Sequence, residues 1–302
     1  MPHHFLSLED LPAEEIPGLL ERGQSIKSQR LILDNLAGRC LVLMFEKAST
    51  RTRVSFEVAA RELGGYTLFM TPAESQLGRS EPLKDTARVL SRYCRGMVVR
   101  TFAQENLCEL ARHADIPVIN ALSDSFHPCQ VLSDLLTISE RSPDLSEVTV
   151  AWVGDGNNVA QSWINAATKL PITLYLACPE GFEPNRDLLN RALEAGAQIK
   201  MTRDPQLAVS VADYVNTDVW ASMGQEGEKE ERLQRFAPFS ITSELMAHAP
   251  KSARVMHCLP AHRGQEISEE VLEGPASIVW DQAENRLHMQ KALMEWVFGD
   301  TF

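Results

Sequence analysis

The sequence has no apolar run long enough to cross a bilayer; the strongest, Leu41-Val42-Leu43-Met44-Phe45, is only the length of a strand. Positive charge is scarce. Lys and Arg number 29 against 41 Asp and Glu, a formal net charge of −12. That balance argues against nonspecific nucleic-acid binding and against an anionic membrane surface. The six cysteines (Cys40, Cys94, Cys108, Cys129, Cys178 and Cys258) form no Cys-x-x-Cys pair. Free thiols in a reducing cytoplasm are therefore expected rather than a disulfide framework. Glu9, Asp10, Glu14 and Glu15 arrive too early for a secretory signal. There is no internal repeat and no Gly/Ser linker. Also missing are the nucleotide loop G-x-x-x-x-G-K, the hydrolase serine motif G-x-S-x-G and the zinc motif H-E-x-x-H.

What remains is an ordinary globular composition, 44% hydrophobic and 23% charged over 302 residues. A chain of that length usually divides into two domains. Short apolar runs alternate with stretches of helical period, the pattern of an α/β chain with parallel sheets. Strands are expected near 41–45, 67–70, 97–100 and 117–121, then near 148–153, 172–177, 197–201, 213–217 and 254–258. Helices are expected at 50–63, closed by Gly64-Gly65, at 83–93, from Pro128 to about Ser139, from about Val159 to Lys169, and before Gly196. Arg141-Ser142-Pro143-Asp144 reads as the junction. The expected fold is two doubly wound parallel-sheet domains, 1–140 and 141–283, with the active site in the cleft between them. A C-terminal helix of about 284–302 is expected to pack back onto the first domain. Ligands of such sheets sit beyond the carboxyl ends of the strands.

After the first strand comes Glu46-Lys47-Ala48-Ser49-Thr50-Arg51-Thr52-Arg53. Free N–H groups of a helix start, hydroxyls and a guanidinium fork make a phosphate cradle built without glycine. A capping serine with solvated arginines is the plainer reading, but it leaves two arginines opposing the helix dipole. Arg100 ends the third strand and faces the same edge; alone, it reads equally as a surface arginine. His127 and Gln130 flank a helix start and suit a small carbonyl or amide, though His127 could equally be a cap or core residue. Cys129 reads as packing.

Gly154-Asp155-Gly156-Asn157-Asn158 resembles a dinucleotide fingerprint, but Val159 stands where the third glycine belongs. The asparagines suit either amide recognition or turn chemistry. Asp218, after the 213–217 strand, could hold a cationic amine. Gln225–Arg235 has the composition of a lid, while Glu226–Arg232 reads better as a solvated helix face. Cys258, in His257-Cys258-Leu259-Pro260-Ala261, is either a packing thiol or one that manages a proton. Arg286 is expected at the start of the last helix.

Taken together, Ser49-Thr50-Arg51-Thr52-Arg53, Lys84-Asp85-Thr86-Ala87-Arg88-Val89-Leu90, His127-Pro128-Cys129-Gln130, Asp218-Val219-Trp220-Ala221-Ser222-Met223-Gly224, His257-Cys258-Leu259-Pro260-Ala261 and Ala283-Glu284-Asn285-Arg286 resemble the ornithine carbamoyltransferases over essentially the whole chain. The first and third motifs are general to carbamoyltransferases; the Ser-Met-Gly and His-Cys-Leu-Pro motifs point to the ornithine branch. Cys129 departs from a frequent threonine.

The resemblance implies transfer of a carbamoyl group from carbamoyl phosphate to the δ-amine of L-ornithine, giving L-citrulline and phosphate, in arginine metabolism. It implies no cofactor and no metal. Carbamoyl phosphate would be bound by Ser49, Thr50, Arg51, Thr52, Gln76, Arg100, His127, Gln130, Cys258, Leu259 and Arg286. Ornithine would be bound by Asn158, Asp218, Ser222 and Met223. Arg51, Arg100, His127 and Cys258 would be catalytic. Gln76 matches a residue donated to a neighbouring subunit, which implies a homotrimer with shared sites. Rival readings are a nicotinamide-dependent dehydrogenase, a non-catalytic homologue, and a carbamoyltransferase for putrescine or N-acylated ornithine.

Overall fold

A computed structural model describes residues 2–74, 81–220 and 229–299. The chain forms two compact units. Unit 1 combines Met1–Leu136 with Asn285–Phe302, and unit 2 is Thr137–Glu284. Unit 1 runs α1 (Ile16–Gln29), β1 (Cys40–Phe45), α2 (Thr50–Glu62), β2 (Tyr66–Met70), α3 (Leu83–Tyr93), β3 (Gly96–Arg100), α4 (Gln104–His113) and β4 (Val118–Leu122). The chain leaves it within α5 (Pro128–Ser139). Unit 2 runs β5 (Thr149–Val153), α6 (Asn158–Lys169), β6 (Thr173–Ala177), α7 (Arg186–Glu194), β7 (Gln198–Thr202), α8 (Pro205–Val209) and β8 (Tyr214–Thr217). It continues through α9 (Lys229–Phe236), α10 (Ser243–Met246), β9 (Arg254–His257) and α11 (Glu269–Leu272). Within α12 (Val279–Phe298) the chain returns to unit 1. Each expected strand is present, with its ends no more than one residue away.

Both sheets are parallel throughout. Unit 1 has the order β2-β1-β3-β4 and unit 2 the order β7-β6-β5-β8-β9. All six residues of β1 are buried, which is why it reads as an unbroken apolar run rather than an alternation. In each sheet the direction of winding reverses once, between β1 and β3 and between β5 and β8. Crevices form at such switch points, beyond the carboxyl ends of the strands. The loops found there are Glu46–Ser49 and the one after Arg100 in unit 1, and Gly154–Asn157 and Asp218 onward in unit 2.

Local chemistry fixes the helix ends. Ser49 caps α2, its Oγ accepting from the Thr52 N–H at 3.3 Å. Gly64, at φ +80°, closes that helix in the left-handed region. α4, α8, α10 and α11 had no specific expectation, and two longer helices depart from the reading more plainly. α1 was not foreseen, although Ile16, Leu19, Leu20, Gly23 and Ile26 bury one face at helical spacing. α12 begins at Val279, so Arg286 lies about two turns inside it rather than at its start. Nothing between Val279 and Arg286 breaks a helix, neither Gly nor Pro. The C-terminal part of α12 is tied into unit 1. Lys291, 1% exposed, donates to Glu62 at 2.7 Å, and Arg22 forks Glu295 at 2.7 and 2.9 Å.

Arg232 corrects the reading of its segment as a solvated face. It is buried, donating to Asp155 Oδ2 at 2.8 Å and to the Trp220 carbonyl at 2.7 Å, with its guanidinium 4.8 Å from the Phe182 ring centre. A carboxylate, a carbonyl and an aromatic face together replace the water that the guanidinium gives up.

Gly156 explains the partial fingerprint. A Cβ there would lie 2.2 Å from the Pro184 nitrogen and 2.4 Å from the Glu183 carbonyl carbon. The glycine admits the chain's own 182–184 backbone, so it needs no cofactor to account for it. Gly156→Ala is expected to destabilise the protein by about 1–3 kcal/mol or more, read from urea unfolding. Unchanged stability would contradict this packing.

Candidate active site

In unit 1 the expected residues converge. The N-terminus of α2 presents Ser49, Thr50, Arg51 and Thr52, with Arg51 exposed and Thr52 buried. Arg100 closes β3 at a register shift against β4. His127, buried, immediately precedes Pro128 at the start of α5. Its loop is shaped by Ser123, whose Oγ accepts from the Phe126 N–H at 3.0 Å. From α12, buried Arg286 donates to Gln130 Oε1 at 2.6 Å and to Thr52 Oγ1 at 3.3 Å. Asp134, which carried no sequence signal, accepts from Gln130 Nε2 at 2.8 Å and so turns the amide oxygen towards Arg286.

Burial, together with the positive fields of Arg286 and Arg100, holds the His127 pKa well below the ordinary 6.5. His127 is therefore a neutral imidazole, able to donate one hydrogen bond without carrying charge. Cys129 is buried, donates from Sγ to the Asn120 carbonyl at 3.3 Å, and is pushed up to about 12 by burial. Such a thiol is an inert packing group.

Unit 2 assembles a second cluster. Asp218 directly follows β8. Its Oδ1 lies 2.9 Å from Cys258 Sγ and accepts from the Val219 N–H at 2.7 Å, while Oδ2 accepts from Asn157 Nδ2 at 3.0 Å. Asn157 also caps α6, its Oδ1 accepting from Val159 and Ala160 N–H at 2.9 and 3.2 Å. The capping alternative is the one seen at Asn157, whose amide also ties the cap to Asp218, and Asn158 is the first residue of the helix.

Asp218, His257 and Cys258 bring their ligand-type atoms within 4.8 Å of one another. His257 is already committed, however. Its Nδ1 accepts from the Leu259 N–H at 2.8 Å, and its Nε2 faces buried Glu266 Oε1 at 3.1 Å. These bonds fix the Nε2–H tautomer and hold Leu259 at φ +56°, a backbone conformation costly for a leucine. The bonds of this cluster orient the backbone around Cys258. His257 stood in the sequence motif without a role, and Glu266 carried no signal at all.

Gln76, Ser222 and Met223 lie outside the described residues. Lys47, also without an assigned role, is buried in unit 1 and paired with Asp124.

The His127 environment sets a pH dependence. The unfolded chain binds a proton near 6.5 and the folded chain only well below it. Stability supplied by neutral His127 is thus present above that value and lost as pH falls beneath it. Unfolding free energy from pH 7.5 to 5 should fall more steeply for the parent than for His127→Gln. Parallel curves would refute the neutral assignment.

Two family models together span nearly all of the chain. Residues 3–140 match the carbamoyl-P binding domain of aspartate/ornithine carbamoyltransferase, and residues 146–297 match its Asp/Orn binding domain. An ornithine carbamoyltransferase of Nitratidesulfovibrio vulgaris strain DP4 is 61% identical over 300 residues, covering 99% of this chain and 100% of the relative. The anabolic ornithine carbamoyltransferase of Pseudomonas aeruginosa is 50% identical, over 97% of this chain and 96% of its own. The solved ornithine carbamoyltransferase of Pyrococcus furiosus superposes with a TM-score of 0.94 at 46% identity, covering 100% of this chain and 98% of that one. Sequence and fold agree, and the chain belongs to the aspartate/ornithine carbamoyltransferase family, on its ornithine carbamoyltransferase side.

Proposed function

We propose that unit 1 binds carbamoyl phosphate, that unit 2 binds L-ornithine, and that the residues divide the work as follows. The enzyme transfers the carbamoyl group to the δ-amine of ornithine, releasing L-citrulline and phosphate. Ser49, Thr50, Arg51 and Thr52 receive the phosphate at the positive end of α2. Arg100, His127, Gln130 and Arg286 hold the carbamoyl end. Asn158, Asp218, Ser222 and Met223 bind ornithine, with Asp218 taking the α-ammonium. Cys258 and Leu259 line the reacting carbon.

The δ-amine resembles a lysine side chain, with an unperturbed pKa of about 10.4. Only its neutral form has the lone pair that attacks. The cations of unit 1 favour that form by like-charge repulsion. As the C–N bond forms, charge gathers on the carbamoyl oxygen and is met by Arg100 and by the N–H of neutral His127. The C–O bond to phosphate then breaks, the departing phosphate oxygen takes the proton that the δ-nitrogen sheds, and phosphate stays in a cradle already shaped for it. Losing one such donor costs about 2.7–4 kcal/mol of barrier.

The observation that carries the reading is the Arg286 fork on Gln130 and Thr52. It ties α12 to α5 and to the first turn of α2, where the phosphate is assigned. The decisive experiment is an assay of carbamoyl transfer with ornithine, putrescine, acetylornithine and aspartate. Ornithine is expected to be the strongly preferred acceptor, and Arg51→Ala is expected to lose carbamoyl phosphate binding. Preference for another amine would reassign the acceptor; undiminished donor binding in the variant would displace the cradle.

We also propose that the enzyme is a cytoplasmic homotrimer in which Gln76 completes a neighbour's site. Supporting this, the edge strand β2 exposes Tyr66 and Leu68, each 53% exposed, and α2 exposes Val54 and Val58 at helical spacing. Free thiols, Cys258 among them, suit a reducing compartment. Among the described residues, no helix is long and apolar enough to cross a membrane. Light scattering should give three times the 33.7 kDa of one chain. A monomeric mass with full activity would remove the shared site.

A further inference from the structure

Apart from Arg286 on α12, the described donor-binding residues assigned to unit 1 lie at or just beyond the ends of β1, β3 and β4, so something must set the three loops there against one another. Lys47 is a buried cation of this region that the reaction has not used. It stands between the end of β1 and the Ser49 cap and is only 5% exposed. Its Nζ donates to Asp124 Oδ1, in the loop after β4. The same ammonium lies 4.3 Å from the ring centre of Phe102, in the loop after β3. One cation therefore engages all three loops. Ser49 follows it by two residues, Arg100 precedes Phe102 by two, and His127 follows Asp124 by three.

Neighbouring bonds bind the same loops. Glu46 accepts from Thr101 Oγ1. The Asp124 N–H donates to the Phe102 carbonyl at 2.8 Å, and the Glu46 N–H donates to the Arg100 carbonyl at 2.8 Å. Burying an ammonium is costly unless it is paired. The Asp124 side chain is 59% exposed and would be solvated without its partner. An apolar residue at position 47 would fill the same space more cheaply, but burial alone has no direction and could not hold two particular loops.

We propose that Lys47 is a positioning residue for carbamoyl phosphate: paired with Asp124 and laid on Phe102, it fixes the mutual placement of the Ser49–Thr52 cradle, Arg100 and His127. This rests on the donor site assigned above. Small misplacements of reacting groups are enough to cost large factors in rate.

The test compares Lys47→Met, Asp124→Asn and the double variant in steady-state assays. Each single variant should raise the KM for carbamoyl phosphate roughly tenfold or more, with the KM for ornithine at saturating donor little changed. The double variant should be no worse than the worse single one, because both break the same tie. Asp124→Asn keeps the Lys47 charge. If Lys47 instead bound the phosphate directly, that variant would keep the parent KM, and the proposal would fall. Additive losses, or a parent KM in Lys47→Met, would also overturn it. Should Lys47→Met not fold, the exposed Asp124→Asn carries the test alone. Arg51→Ala separates the two levels: if it binds donor normally, the donor-site assignment has failed rather than the tie.

Discussion

The direction of the strands is the constraint on which everything else in this molecule depends. Parallel strands must be joined by crossovers, so every strand-to-helix loop of a sheet opens along a single edge. Each sheet here reverses its winding once, between β1 and β3 and between β5 and β8. The reversal parts the neighbouring helices and leaves the loop residues accessible. Chemistry need only be placed in the few residues that follow a strand. That is where Lys47 to Thr52, Arg100, Asp218 and Cys258 are found.

The two edges differ in electrostatic character. Unit 1 gathers guanidinium groups and keeps His127 uncharged, because burial, and then the fields of Arg286 and Arg100, make a further positive charge unfavourable. A dianion is the natural complement of that arrangement. Unit 2 presents a carboxylate steadied by a capping asparagine, with a thiol in hydrogen-bond reach. Beneath it, buried His257 and Glu266 shape the backbone rather than the surface. Such a site suits a cationic amino acid. The complementary characters explain how one fold, used twice, can hold two unlike substrates.

Much of this was legible in the sequence because it rests on local rules. Strands such as β1 and β5 announce themselves as apolar runs, and α2 and α5 by Ser49 and Pro128. The cradle assignment came from two arginines in the first turn of α2, which oppose the helix dipole unless an anion is present. What escaped was long-range. Nothing local says that Asp134 will turn Gln130, or that Glu266 will meet His257 nine residues back. Arg232 looked solvated because its partners, Asp155 and Phe182, are distant in the chain. Lys47 passed unnoticed because its partner lies 77 positions away. α1 is the exception. Its apolar spacing is local, but it precedes the first strand and so lies outside the strand–helix alternation.

Unit 1 is discontinuous in the chain. Its first stretch ends at Leu136, yet the guanidinium that joins Gln130 to Thr52 is Arg286, from the return segment beginning at Asn285. During synthesis, all four strands of this unit are therefore made well before the guanidinium that ties Gln130 to Thr52. That tie forms only once the return segment has emerged. A nascent chain halted before Asn285 would carry the strands of unit 1 without the link that joins α2 to α5.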